Sequence, residues 1–298
     1  MTCAFCGNQA EIKESHIVPK FVFDWLKETS GTGYIRFSHT PNKREQDGLK
    51  IPLLCRNCEE LFGKWEKQVS ENIFKPLHSQ PGQRREYGKW LAKFAASVSW
   101  RVLAFFKTKG KFDHFSDELK EAIERASQRW KDFIEDNEPY PGPYEQHILP
   151  LDGIASTSDP STPPNMSRYF LRTVDIDVAR TKKTAFVYAK MCHLLLVSFI
   201  EMPYASHWRG TKVHINRGYV GGKVGYAIPS GFGEYLKDRA RMVAQAQDSI
   251  SQKQWNNITK TYQAGLDRAA NSESFRAMNF DVNIFGQSAF KDDENELE

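Results

Sequence analysis

The sequence lacks an unbroken apolar run of the roughly 18 residues that a membrane-spanning helix needs, and it lacks internal repeats, so neither a membrane span nor a solenoid is expected. It has no G-x-G-x-x-G or Walker pattern, so the glycines near residues 218–222 are not a nucleotide cradle. No apolar signal-like segment opens it, and the expected compartment is the reducing cytoplasm. Cysteine is scarce, with five in 298 residues, too few for a disulfide scaffold. Charge of one sign is also scarce overall. The net charge of +4 does not by itself single out nucleic acid as a partner.

What is present is concentrated at the start. Four of the five cysteines form two C-x-x-C pairs, Cys3/Cys6 and Cys55/Cys58. Two residues between cysteines let both sulfurs reach one ion, and two such pairs make a tetrahedral four-sulfur zinc site. Disulfides or free thiols are the competing reading, which a reducing compartment disfavours. The pairs lie further apart than in an ordinary zinc ribbon, so something folds between them. That insert contains His16, within the stretch Glu14-Ser15-His16-Ile17-Val18-Pro19.

Cys-x-x-Cys, a polar residue with His-Ile-Val-Pro, and Leu-Leu-Cys-x-x-Cys, in that order, resemble the HNH endonucleases, the zinc-bearing ββα-metal nucleases. The resemblance covers residues 1–75. It implies that the cysteines hold structural Zn2+ and that His16 is the general base. It also implies a catalytic divalent ion, Mg2+ or Mn2+, held beside His16, with Glu59 and Glu60 standing where the family often has a metal-binding His or Asn. Two departures stand out: Ser15 replaces the Asp commonly found before the histidine, and the middle Asn has only Asn42 or Asn57 as candidates, neither in clear register. The residue types suit phosphodiester hydrolysis without the resemblance. An imidazole takes a proton near neutral pH, and a hard cation held by carboxylates neutralises charge on the leaving oxygen. Against this, His16 also reads as a surface histidine beside the zinc, and Glu59 and Glu60 as a solvated first helical turn.

Along the chain, periodicity predicts a helix near 19–29, a strand pair of 34–37 with 49–54, and a helix over 58–72. The loop between those strands holds Lys43 and Arg44, which could touch phosphate, though a solvated loop is the simpler reading. Residues 76–82 read as a linker. Helices follow over 87–107 and 116–136, the second capped by Ser116. The stretch 138–165 contains seven prolines and reads as an extended loop. Residues 169–178 alternate like a strand. The apolar run 184–201 reads as one strand or as a strand entering a buried helix. A hairpin over 211–228 and a polar helix over 234–270, interrupted near 249–251, complete the chain. Residues 287–298 read as an acidic tail.

The expected architecture is therefore α+β: an N-terminal zinc-stapled ββα-metal module (1–75) followed by a mixed helical and antiparallel-sheet domain (84–298). The Lys and Arg residues are unevenly distributed. Residues 84–131 carry +6 and 168–230 carry +7, whereas 132–167 hold seven acids and no Lys or Arg. The expected partner is nucleic acid, DNA in the first instance, with the larger domain binding it, forming a homodimer or meeting a protein partner. HNH proteins with such partner domains are often bacterial phage-defence or restriction effectors. The competing expectation is a catalytically inactive zinc-finger binding or regulatory protein.

Overall fold

The computed structural model describes residues 1–202, 205–222 and 225–290. First come β1 (Ile12–His16), α1 (Lys20–Glu28), β2 (Lys50–Cys55) and α2 (Arg56–Val69). A π-helical stretch, Ser70–Phe74, carries α2 into α3 (Lys75–Ser79). Next are β3 (Arg84–Gly88), α4 (Lys89–Thr108), α5 (Asp117–Ile134) and β4 (Gln146–Pro150). They are followed by α6 (Met166–Arg172), β5 (Val174–Arg180), β6 (Ala185–Met191), β7 (Leu194–Glu201) and β8 (Arg217–Gly221). The helices α7 (Ser230–Asp248), α8 (Gln252–Ala264), α9 (Leu266–Ala270) and α10 (Glu273–Phe285) come last. Every strand pairing is antiparallel, and the class is α+β. No helix among the described residues is long and apolar enough to cross a membrane.

The contacts sort into two compact units, each assembled from three stretches. One comprises residues 1–21, 48–150 and 174–228; the other comprises 22–47, 151–173 and 229–298. The boundary expected between 75 and 84 falls inside the first unit.

In the first unit a four-stranded sheet runs β4-β7-β6-β5. All of β6 is buried, and β7 is buried up to its last residue, which is why the sequence there reads as a continuous apolar run. That run is two strands joined by Cys192 and His193. Cys192 takes a φ of 53°, a left-handed conformation usually given to Gly, Asn or Asp, so no turn residue marked the hairpin. Helix α4 packs on this sheet and also against α2 and α5. Covered on several sides, it is buried almost all round from Leu91 to Leu103.

Several local expectations are corrected. β2 pairs with β1 rather than with residues 34–37, where a single bridge joins Ile35 to Glu45. The linker at 76–82 is largely α3, which continues the helical run from α2 through the π-helical stretch, with Pro76 in its first turn. The proline-rich stretch contains β4, whose Ile148 and Leu149 are buried beside β7. Residues 166–172 are helical before β5 begins. Of the expected 211–228 hairpin, residues 223 and 224 lie outside the described residues; β8 pairs with β3, distant in sequence, and a single bridge joins Arg209 to Ala227.

In the second unit the long C-terminal helix breaks at 249–251 as expected and continues as shorter helices. Arg168 Nε meets the buried carboxylate of Asp281 at 2.8 Å, fastening α6 to α10. The carbonyls ending α1 are capped by two arginines. Arg172 Nη2 donates to Leu26 O at 2.7 Å, and Arg268 donates to Lys27 O and Ser30 O at 3.0 Å. Of the expected acidic tail 287–298, Gly286–Ala289 forms a 3-10 turn and residues 291–298 lie outside the described residues.

Candidate metal centre

The antiparallel pair β1–β2 brings the N-terminal knuckle beside the start of α2. Cys3 Sγ lies 3.8 Å from Cys58 Sγ, and Cys6 Sγ 3.8 Å from Cys55 Sγ. All four sulfurs fall within 4.8 Å of one another, and all four thiols are free. A tetrahedral zinc with sulfurs at about 2.3 Å spaces them about 3.8 Å apart, whereas a disulfide needs about 2.05 Å. These four cysteines could therefore hold a metal ion, and their geometry is that of structural zinc. Among the described residues no other group of three or more His, Cys, Asp or Glu side chains gathers its ligand atoms so closely.

The electrostatics of the knuckle fit a cation. Burial works against a Cys3 thiolate, but the backbone N–H groups of Cys6, Cys55 and Phe5 outweigh it and lower the thiol to about 7. The Cys55 N–H donates to Cys3 Sγ at 3.3 Å. Burial raises Cys6 and Cys58, which favours their protonated forms until a cation neutralises the cluster. Beneath the knuckle, Phe5 meets Phe62 of α2 and Trp100 of α4, each edge-on with centroids 5.0 Å apart. The knuckle thus has an apolar floor.

His16 is the last residue of β1 and half-buried. Its carbonyl accepts from Arg101 Nη1 at 2.9 Å, and the same nitrogen lies 2.7 Å from Glu66 Oε1 on α2. Arg101 is 2% exposed, with its guanidinium 5.4 Å from the Phe62 ring centroid. In the sequence Arg101 is one of the charges of the basic stretch 84–131. Only the packing of α2 on α4 puts it indoors, and nothing local in the sequence signals that.

Ser15 is fully buried. Its hydroxyl accepts the Leu54 N–H at 3.0 Å, which ties β1 to β2 and turns this position away from ligation. Glu59 and Glu60 have different fates. Glu60 forms an exposed pair with Arg56 at 2.8 Å. Glu59 Oε1 is shielded from solvent and has no hydrogen-bond partner among the described residues. Asn57 is exposed on α2, while Asn42 is engaged in the second unit, accepting from Ser251 N at 2.8 Å and donating to Ser249 O at 3.3 Å. Lys43 pairs with Glu45 at 2.7 Å, and Arg44 lies over the Tyr34 ring, 4.7 Å from its centroid.

The basic stretch 84–131 is less free than its sequence implies. Lys89 and Lys93 pair with Asp136, Arg101 with Glu66, Lys107 with Glu124, Lys111 with Asp177 and Arg129 with Glu138. Lys120 and Arg125 pair within α5.

Comparison with known proteins gives no matching family model, no similar curated protein and no similar solved structure. The reading of the site rests on its own geometry and on the residue pattern.

Proposed function

We propose that the protein is a metal-dependent nuclease of the HNH kind, hydrolysing phosphodiester bonds of nucleic acid, with DNA as the first substrate to test. The observation that carries this reading is the placement of His16. It ends β1 opposite Lys50, at the far end of the β1–β2 pair from Cys55, so the cysteine cluster staples the strand pair to the helix that carries Glu59, and Arg101 ties the His16 end to Glu66 of that same helix. Arg101 adds a second restraint on the His16 backbone.

In this reading the His16 imidazole takes a proton from water, and the water oxygen bonds to phosphorus. The bond from phosphorus to the leaving sugar oxygen breaks, and solvent returns a proton to that oxygen. A bound divalent ion would supply charge neutralisation at the leaving oxygen. Of the two acidic residues Glu59 fits such an ion, because Oε1 is shielded and lacks a partner, a state a carboxylate holds only at a cost. Glu60, already engaged by Arg56, does not. The cysteines are a structural staple and take no part in the chemistry.

One observation favours a second reading, a catalytically inactive zinc-dependent binding or regulatory protein. Ser15, where the resemblance leads one to expect a metal-binding Asp, is committed to the Leu54 backbone. The deciding experiment incubates the whole protein with plasmid DNA and with RNA in magnesium, in manganese and in EDTA. Cutting that needs the divalent ion and disappears in His16→Ala supports the nuclease. Binding with no cutting of either substrate supports the second reading.

A further inference from the structure

Three arginines of the second unit, Arg36, Arg172 and Arg268, stand close to the end of α1 or to Tyr262 of α8, and they differ in one respect. Arg172 and Arg268 place their guanidinium groups on the carbonyls that end α1. Arg36 does not: its Nε and Nη2 are shielded and have no hydrogen-bond partner among the described residues. Arg36 is half-buried, and because a guanidinium stays charged under any ordinary condition it cannot relieve the shielding of those two nitrogens by losing its proton.

The neighbours of Arg36 increase the cost. The bridge between Ile35 and Glu45 is antiparallel, with N–H···O bonds of 2.9 and 3.1 Å. That register sets Arg36 directly opposite Arg44. Like charges in cross-strand positions repel, and a natural fold keeps such a pair when something neutralises it. Glu45, the acid of this turn, is held by Lys43 at 2.7 Å. Burial is the largest influence on Arg36, and Arg44 adds to it by working against the charge, so the net direction is a lowered pKa.

The site is built rather than incidental. Arg44 is braced over Tyr34, with Nη2 3.5 Å from Asn257 O on α8. Asn42 fastens the same loop to residues 249 and 251. The Tyr262 ring lies against Gly31, where a Cβ would collide with it, so the glycine is what lets α8 come this close.

We infer that Arg36 and Arg44 form a binding site for a phosphate group on the second unit. Two neighbouring guanidinium forks match the tetrahedral oxyanion, which accepts bidentate, charge-assisted hydrogen bonds. The phosphate can belong to a nucleic-acid strand or to a free phosphate or nucleotide, and the chemistry at the two arginines is the same. This inference does not depend on cleavage by the first unit.

The test uses the full zinc-loaded chain without added magnesium or manganese, so that binding is read apart from cleavage. Thermal unfolding is followed with added inorganic phosphate, and binding of a fluorescein-labelled 20-nucleotide DNA strand is titrated at several salt concentrations. For Arg36→Met the melting temperature without ligand rises, because the repulsion is gone, and stabilisation by phosphate disappears. If the phosphate is that of a strand, the DNA dissociation constant also rises about tenfold or more, and the log–log salt slope falls by about one. Arg44→Gln, on an exposed loop, loses ligand binding in the same way and serves if Arg36→Met folds poorly. Competition between phosphate and DNA assigns the site to a strand; stabilisation by phosphate without such competition assigns it to a free phosphate or nucleotide. The inference is overturned if wild type responds to neither ligand, or if both variants respond as wild type does.

Discussion

Arg101 Nη1 donates to the backbone carbonyl of His16 at 2.9 Å while lying 2.7 Å from Glu66 Oε1. One buried cation therefore holds the end of β1, the middle of α2 and its own helix α4 in register. Removing it leaves Glu66 with its pairing lost in a largely buried setting. Breaking a buried pair by deleting one partner costs about 3–5 kcal/mol, and Glu66 is 20% exposed, which places the expected loss at the lower end. Arg101→Met should therefore lower stability by about 3 kcal/mol in urea unfolding. Glu66→Gln, which keeps a hydrogen-bonding oxygen, should cost less. Equal stability of wild type and Arg101→Met would mean the bridge carries no weight.

The zinc is expected at one ion per chain, measured by elemental analysis of protein purified without chelator. Cys58→Ser should lose the ion and lower the melting temperature by roughly 10 °C or more, since loss of a structural metal is among the largest single-site effects. Acidification should release the ion, because protons compete for the thiolates. Retention of a full equivalent of zinc in Cys58→Ser would remove that sulfur from the ligand set.

How much of this was legible beforehand depended on whether the signal was local. The cysteine pairs announced themselves, and the sulfurs do cluster. Ser116 capped α5 as its position suggested, accepting the Leu119 N–H at 3.4 Å. What escaped the sequence was decided at long range. β3 finds β8 across more than a hundred residues, and β4 hides among prolines because β7 supplies its partner. Cys192 turns the β6–β7 hairpin in a conformation its residue type does not advertise. The charge of the 84–131 stretch looked available because pairs such as Lys107–Glu124 and Lys111–Asp177 appear only once helices and strands pack. Trp100, packed on Phe5 and Phe62, has a consequence for experiment. A fragment beginning at residue 84 would strip α4 of those partners, so nucleic-acid binding belongs on the whole chain.

For His16 the nuclease reading makes a narrow demand. His16→Ala should slow divalent-ion-dependent cleavage by about 10² to 10⁴, the usual worth of a general base. Zinc content and melting temperature should stay close to wild type, because Arg101 holds the backbone carbonyl of residue 16 and not its ring. Cleavage at the wild-type rate would take His16 out of the chemistry while leaving the zinc centre intact.

The last expectation concerns pH and a histidine remote from any proposed chemistry. His147, on β4, is 1% exposed, with Nδ1 2.7 Å from Thr211 Oγ1 and its ring against Phe199 and Trp208. Burial is the main influence and disfavours the imidazolium. Glu145, with a carboxylate oxygen 3.4 Å from Nε2, opposes it only in part, and the folded pKa falls from 6.5 to about 4. The unfolded chain therefore takes up a proton at this residue near pH 6.5 that the folded chain refuses until about pH 4. The stabilisation is complete above pH 6.5 and is lost as the pH falls towards 4, by about 3 kcal/mol at most. His147→Gln removes the titration. Urea unfolding at pH 7.5, 5.5 and 4.5 should show wild type losing more stability on acidification than the variant, and comparing the two subtracts the loss shared through the zinc thiolates. A constant difference between them across that range would mean that the folded protein accepts the proton at His147, with Glu145 as its partner.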